Sequence, residues 1–183
     1  RAQQGREVGY AIIAVGTIGI IIAIYKLIEL AGVARAVKNQ ASSKAADPRN
    51  PLGRVLKVGQ DNFEKDIDTL ELKLAEAIMA ERPAIERWIG AVRIISVVAP
   101  LAGLLGTVTG MIVTFQMITL YGTGDPKLMA GGISQALVTT VLGLLVAIPT
   151  TLLHSFTASS ARGIISTLEE QSTGILAEHS EAK

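Results

Sequence analysis

The sequence predicts an all-α integral membrane protein with three transmembrane helices, the second and third carrying long cytoplasmic helical extensions. Three observations predict it. The 183 residues are 49% hydrophobic and only 18% charged, with a mean hydropathy of +0.44, whereas soluble domains carry about 25% charge. The uncharged residues come in three blocks, 8–25, 94–124 and 128–161. At about 1.5 Å rise per residue each is long enough to cross a hydrocarbon core of about 30 Å. Most of the 17 Lys and Arg fall between the first and second blocks, as in a segment that stays in water. A net charge of +1 leaves no nucleic-acid footprint. With no Cys there is neither a disulfide frame nor a thiolate metal site.

Residues 1–7 are a short polar lead, read as the remnant of a periplasmic N-terminal region. The chain opens on Arg1 rather than Met, so it is expected to be part of a longer product. The first transmembrane helix is set at 8–25. Tyr10 and Tyr25 lie near its ends, where aromatic rings favour the headgroup level. Residues 26–93 form the cytoplasmic loop. Lys26, Arg35, Lys38 and Lys44 flank the first span, and Arg82, Arg87 and Arg93 approach the second, while the hairpin 121–127 offers Lys127 alone. The positive-inside rule therefore puts the loop and C-terminus in the cytoplasm, and the N-terminus and hairpin in the periplasm. Arg1 and Arg6 argue weakly the other way.

Within the loop, residues 47–51 read as a turn with two prolines. Asp61, followed three residues later by Glu64, has the form of a capping box opening an amphipathic helix. Phe63, Ile67, Leu70, Leu74, Ile78, Ile85, Trp88 and Val92 follow helical spacing. Pro83 predicts a kink. This helix is expected to run into the second transmembrane helix, 94–120. The third spans 128–157, and 158–183 is a cytoplasmic C-terminal helix. There Ile164, Ile165, Leu168, Ser172, Ile175 and His179 form a face that pairs with the loop helix.

The second and third spans carry polar faces. Gly103, Thr107, Gly110 and Thr114 share one side of the second helix, and Gly132, Ala136, Thr140, Gly143, Ala147, Thr151 and His154 one side of the third. One reading is packing: small residues such as Gly103, Gly106, Gly110 and Gly143 let backbones approach, and a Thr hydroxyl bonds its own helix. The other is a polar path. Thr107 follows Arg93, and Thr140 follows Lys127, by about four helical turns, so both hydroxyls lie ~20 Å from the nearest charge, near mid-bilayer. Polar groups at that depth face a bundle interior or a water-filled path. Thr109, Gln135, Thr139, Thr151 and His154 are secondary candidates.

No Asp, Glu, Lys or Arg lies inside the spans. Thr and Gln position water but hold no proton at neutral pH, so a proton path here takes its carboxylate from a partner. His154 sits near the cytoplasmic end, where a hydrogen-bonded interfacial role is the simpler reading. Pro100 and Pro149 are expected to kink their spans and widen an inner vestibule. No enzyme template, metal site or cofactor site is met. The run GLLGTVTG lies inside a span rather than at a strand-to-helix turn, and His154 and His179 have no nearby ligands. A solute carrier is disfavoured by the lack of a charged site and of a repeat.

At residues 99–111, APLAGLLGTVTGM, and 131–149, GGISQALVTTVLGLLVAIP, the chain resembles the MotA/TolQ/ExbB proton channel family. The resemblance covers roughly residues 10–180. It is closest to ExbB-type subunits of a TonB system, through its three spans and its SQALVTT wording. It implies a homopentamer in the bacterial inner membrane around an ExbD-like single-span dimer that brings a membrane Asp. Protons would pass Thr107 and Thr140, along a path lined by Gly103, Gly110, Thr114, Ala136, Gly143 and Ala147. The resulting motion would reach a TonB-like protein and energise outer-membrane transport. A TolQ-like subunit of the Tol-Pal system is the alternative, and a non-conducting scaffold is a reading of a different class. One position departs from the family pattern: Gln135 stands where members often carry Glu.

Overall fold

A computed structural model describes residues 4–43, 45–122 and 126–182. Among the described residues the chain is all helical, with five helices: α1 (Gln4–Ala41), α2 (Pro51–Asp61), α3 (Ile67–Glu86), α4 (Ile89–Tyr121) and α5 (Pro126–Glu181). Three of them, α1, α4 and α5, are long and apolar enough to cross a membrane. Arg1, Lys44 and Asp125, which enter the charge and span arguments, lie outside the described residues.

The chain divides into two compact units, Arg1–Ile24 with Trp88–Ser155, and Tyr25–Arg87 with Phe156–Lys183. Both α1 and α5 contribute to each. No helix boundary falls at Tyr25: Leu, Glu and Ala follow Lys26 without a breaker, and α1 continues to Ala41.

In the first unit α4 and α5 run antiparallel, since Gly103 meets Gly143 while Thr114 meets Gly132. The start of α1 lies against both. Ile12, Ala99, Val146 and Ala147 form its core, with Val8, Ala102 and Leu142 packed around them. Ile18, Ile21, Leu104, Leu105, Leu144 and Leu145 stay exposed. An apolar outer surface over a thin core is what lipid solvation permits.

In the second unit Val55, Leu70 and Leu74 are buried against Ala77, Ile78, Ile175 and Leu176. The C-terminal part of α5 thus meets the loop helices, as its apolar face predicted. The helix starts differ from expectation. Asp61 does not open a helix but is the last residue of α2. The start signal overlooked was Asn50–Pro51. The Asn50 Oδ1 accepts the Gly53 N–H at 2.7 Å, and Pro51 occupies the first turn, where its missing N–H costs nothing. Gly53 is obligatory there, because a Cβ would run into the Asp47 backbone. α3 is capped by Asp66, which accepts the Thr69 N–H at 2.9 Å and the Thr69 hydroxyl at 2.8 Å.

Arg54 ties α2 to α3 through two 2.6 Å bonds to the Glu81 carboxylate, and these bonds raise the guanidinium pKa further. Beside the α2 cap, Arg49 holds the exposed Asp47 carboxyl below its usual range. The Gln40 amide organises the same loop, donating to Ala45 O at 2.8 Å and accepting from the Asp47 N–H at 2.9 Å.

α3 and α4 are separate helices, a correction to the predicted continuous run. Pro83 does not end α3, which continues to Glu86. The break comes at Arg87, whose backbone turns extended, and at Trp88, which is left-handed at φ 68°. Carbonyls in the last turn of a helix lack intrahelical donors, and the buried Lys26 supplies one of them, its Nζ donating to Ala84 O at 3.0 Å. A cation there also complements the negative end of the helix dipole.

Candidate functional site

The polar faces of the two spans meet in the first unit, and glycine makes the meeting possible. A Cβ on Gly103 would stand 2.9 Å from Thr139 O and 3.1 Å from Thr140 Cα, and one on Gly143 would stand 2.7 Å from Ala99 O. The approaches of 2.9 and 2.7 Å are ones real Cβ atoms do not hold against backbone. Gly110 abuts Ala136, Gly106 the Thr139 side chain and Gly132 the Thr114 hydroxyl. Gly103, Gly106, Gly110 and Gly143 therefore pack the seam, as the small-residue reading expected.

The hydroxyls along the seam are already donating. Thr114 donates to Gly110 O at 2.9 Å, Thr107 to Leu104 O at 2.6 Å, and Thr109 to Leu105 O at 2.9 Å. Thr139 donates to Ala136 O at 2.6 Å, and Thr151 to Ala147 O at 2.7 Å. Two hydroxyls also reach across the seam to Gly103 O on the neighbouring helix, that of Thr140 at 3.3 Å and that of Thr139 at 3.4 Å. A hydroxyl that donates one proton keeps two acceptor lone pairs, so these oxygens can still accept from water.

Burial sorts the candidates. Gly103, Thr114, Ala136, Thr139, Gly143 and Ala147 are buried; Thr107, Thr109, Gly110, Thr140 and His154 are partly buried; Thr151 is exposed. Ala147 sits in the core against Ile12 and Ala99. Thr107 is partly buried on α4, and Thr140, also partly buried, has its Cα against Gly103 across the seam. Gln135 falls elsewhere. Five residues before Thr140, it is turned about 140° around α5 from it, and it lines a cavity with α1 residues.

Sequence reasoning did not find the burial of Lys26 or that cavity, whereas it did place His179 on the face that meets the loop. His179 is buried, its ring stands nearly perpendicular to that of Phe63 with centroids 5.2 Å apart, and its Nε2 lies 2.9 Å from Lys65 O. The sequence placed His179 on an apolar face but held no signal for its distant partners. Among the described residues no cluster of three or more His, Asp or Glu could hold a metal ion.

Residues 47–170 match the MotA/TolQ/ExbB proton channel family. The chain is 32% identical over 174 residues to a biopolymer transport protein ExbB homolog of Methanothermobacter thermautotrophicus, a match that covers 84% of this chain and 60% of that protein. It is 43% identical over 83 residues to a biopolymer transport protein ExbB-like 3 of Synechocystis, covering 44% of this chain and 40% of the other. With the biopolymer transport protein ExbB of Aquifex aeolicus it shares 45% over 64 residues, 35% of this chain and 43% of that one. The chain thus spans less than two thirds of the length of these curated relatives.

Proposed function

The chain belongs to the MotA/TolQ/ExbB proton channel family and is an integral membrane protein, and from that premise we propose that it is the proton-conducting stator subunit of an inner-membrane motor. The observation that carries the reading is the pair Thr107 and Thr140. Both are partly buried hydroxyls at mid-span, beside a tightly packed glycine seam, in helices without a single charged side chain at that depth. Their oxygens accept hydrogen bonds from a file of water. The proton-holding group is a carboxylate on the membrane helix of an ExbD-like single-span dimer.

In this reading several copies of the chain surround that dimer, five by family resemblance. Proton transfer neutralises the partner's carboxylate and lets its helix move against the seam-bearing helices. A neutral carboxyl crosses an apolar surface at far lower cost than a charged one. The motion passes to a TonB-like protein and energises outer-membrane transport. The relatives named for biopolymer transport favour this over a Tol-Pal role. The N-terminus and hairpin face the periplasm, and the loop and C-terminus the cytoplasm.

One observation favours a second reading, a non-conducting scaffold: the described seam hydroxyls all donate to backbone carbonyls, as packing alone requires. Thr107→Val and Thr140→Val separate the two, since volume is nearly held while the hydroxyl goes. Proton flux in vesicles holding the chain and its single-span partner is expected to fall about tenfold per variant, equivalent to one lost hydrogen bond of about 1.4 kcal/mol at the barrier, with complex assembly intact. Unchanged flux sinks the path and leaves the scaffold.

A further inference from the structure

Three exposed aromatic rings mark one level of the chain. Contacts within the first unit fix the register of its helices: a Cβ on Gly19 of α1 would meet the Ile95 side chain of α4, and one on Gly16 would meet Val146 of α5. From the first contact toward the loop 26–93, at about 1.5 Å per residue, Tyr25 lies ~9 Å along α1 and Trp88 ~10 Å along α4. From the second, Tyr25 lies ~14 Å along α1 and Phe156 ~15 Å along α5. The three residues thus share one plane to within about a helical turn. Tyr25 is 65%, Trp88 49% and Phe156 62% exposed, so none is accounted for by packing within the chain.

Each ring belongs to a different helix. Because α1, α4 and α5 pack against one another in the first unit, their exposed sides face different directions. One neighbouring helix covers one such side, whereas the boundary between hydrocarbon and water surrounds all three. Side-chain chemistry changes at the same plane. On its apolar side Ile21, Ile24, Val97, Val98 and Leu152 are exposed. Charge begins with Lys26 directly after Tyr25 and with Arg87 directly before Trp88, and on α5 with Arg162, ~9 Å past Phe156. Arg93 lies ~7.5 Å on the apolar side and is exposed. The Cα–Cβ bonds of α4 tilt toward its N-terminus, which directs the Arg93 stem back toward the rings, as a snorkelling side chain requires.

Trp88 carries the argument furthest. It follows Glu86 and Arg87, where α3 ends, in the left-handed conformation that Gly adopts without cost after a helix. A bulky residue there is an outlier, and outliers of this kind cluster at sites with a task. We propose that Trp88, Tyr25 and Phe156 form a collar in the phospholipid headgroup layer that fixes the depth of α1, α4 and α5 in the bilayer. Indole and phenol combine an apolar body with a polar N–H or O–H, which suits a layer where esters and water meet acyl chains. Phe156 adds the apolar body alone. The collar requires that the chain cross a bilayer and is independent of proton conduction.

Trp88 is the one Trp in the chain, so its fluorescence reports its depth without any substitution. The full chain is reconstituted in phosphatidylcholine–phosphatidylglycerol vesicles whose acyl chains carry bromine either near the ester or near the terminal methyl. Bromine near the ester is expected to remove most of the emission. Bromine near the methyl, and iodide in the water on both sides, are each expected to remove little. In a Trp88→Phe background, Tyr25→Trp and Phe156→Trp are expected to give the same order of quenching. Strongest quenching by methyl-end bromine puts Trp88 deep in the hydrocarbon and overturns the inference. Dominant quenching by iodide puts it in water, and protection from all three quenchers puts it beneath another chain; either result overturns the inference too. A different order at Tyr25 or Phe156 overturns the collar.

Discussion

At the scale of single residues, the smallest side chains are the most constrained. Gly143 and Gly103 have no room for a methyl because backbone, not a movable side chain, stands opposite. Gly174, farther along the same helix α5, has nothing within 4 Å of where a Cβ would be. Gly143→Ala is therefore expected to destabilise by about 1–3 kcal/mol, as overpacking does. Gly174→Ala is expected to stabilise by about 0.5–1 kcal/mol, by removing a helix-interior glycine. Thermal unfolding in detergent measures both, and equal shifts for the two variants would show that the seam has slack. The same scale shows Thr139 and Thr140 sharing one acceptor: both hydroxyls reach Gly103 O across the seam, at 3.4 and 3.3 Å, and that of Thr139 also donates to Ala136 O within its own helix.

At the scale of elements, caps set the boundaries and composition does not. Asp61 and Glu64 carry the letters of a capping box, yet the cap that forms is Asp66, with bonds to both the backbone and hydroxyl of Thr69. Asp61 was unavailable because α2, started by Asn50 and Pro51, runs through it. Asp66→Ala is expected to cost about 1 kcal/mol, the usual value of an N-cap. Asp61→Ala is expected to stay within about 0.5 kcal/mol of the parent. Denaturant titration followed by circular dichroism distinguishes them, and a larger loss at Asp61 contradicts the assignment. Trp88 ends the predicted continuity of the loop helix and the second span. A bulky residue at φ 68° is strained, and the Lys26 bond to Ala84 O falls in the last turn of α3, just before this break.

At the scale of the whole molecule, the arrangement of charge makes a prediction about sides. The chain has no Cys, so single cysteines report without background. Ser43→Cys, in the loop organised by Gln40, is expected to react with an impermeant thiol reagent only from the cytoplasmic face. Lys127→Cys, at the start of α5, is expected to react only from the opposite face. Labelling of both from one side refutes three crossings. α4 and α5 expose large apolar residues along much of their length, Leu104, Leu105, Leu144 and Leu145 among them, as helices solvated by lipid or by neighbouring chains do.

Periodicity and block length alone determined the helical class, the three spans and the small-residue faces, because a helix in lipid must satisfy its own backbone and be apolar over about 20 residues. The same rule made the missing intramembrane acid visible before any coordinates. Contacts between residues distant in the chain were decided only by the tertiary structure. Sequence spacing gave Gly103 and Gly143 the same small-residue pattern as many packed helices, but the antiparallel pairing that presses each against backbone is a three-dimensional fact. Likewise Lys26 was read only as a flanking charge, and its burial against Ala84 O depends on where α3 breaks. Gln135 was read as a departure from a family pattern. Its orphaned amide and the cavity it lines come from α1 and α5 lying side by side. Local propensity acts over a few residues and is written in the chain, whereas packing partners are chosen by the fold.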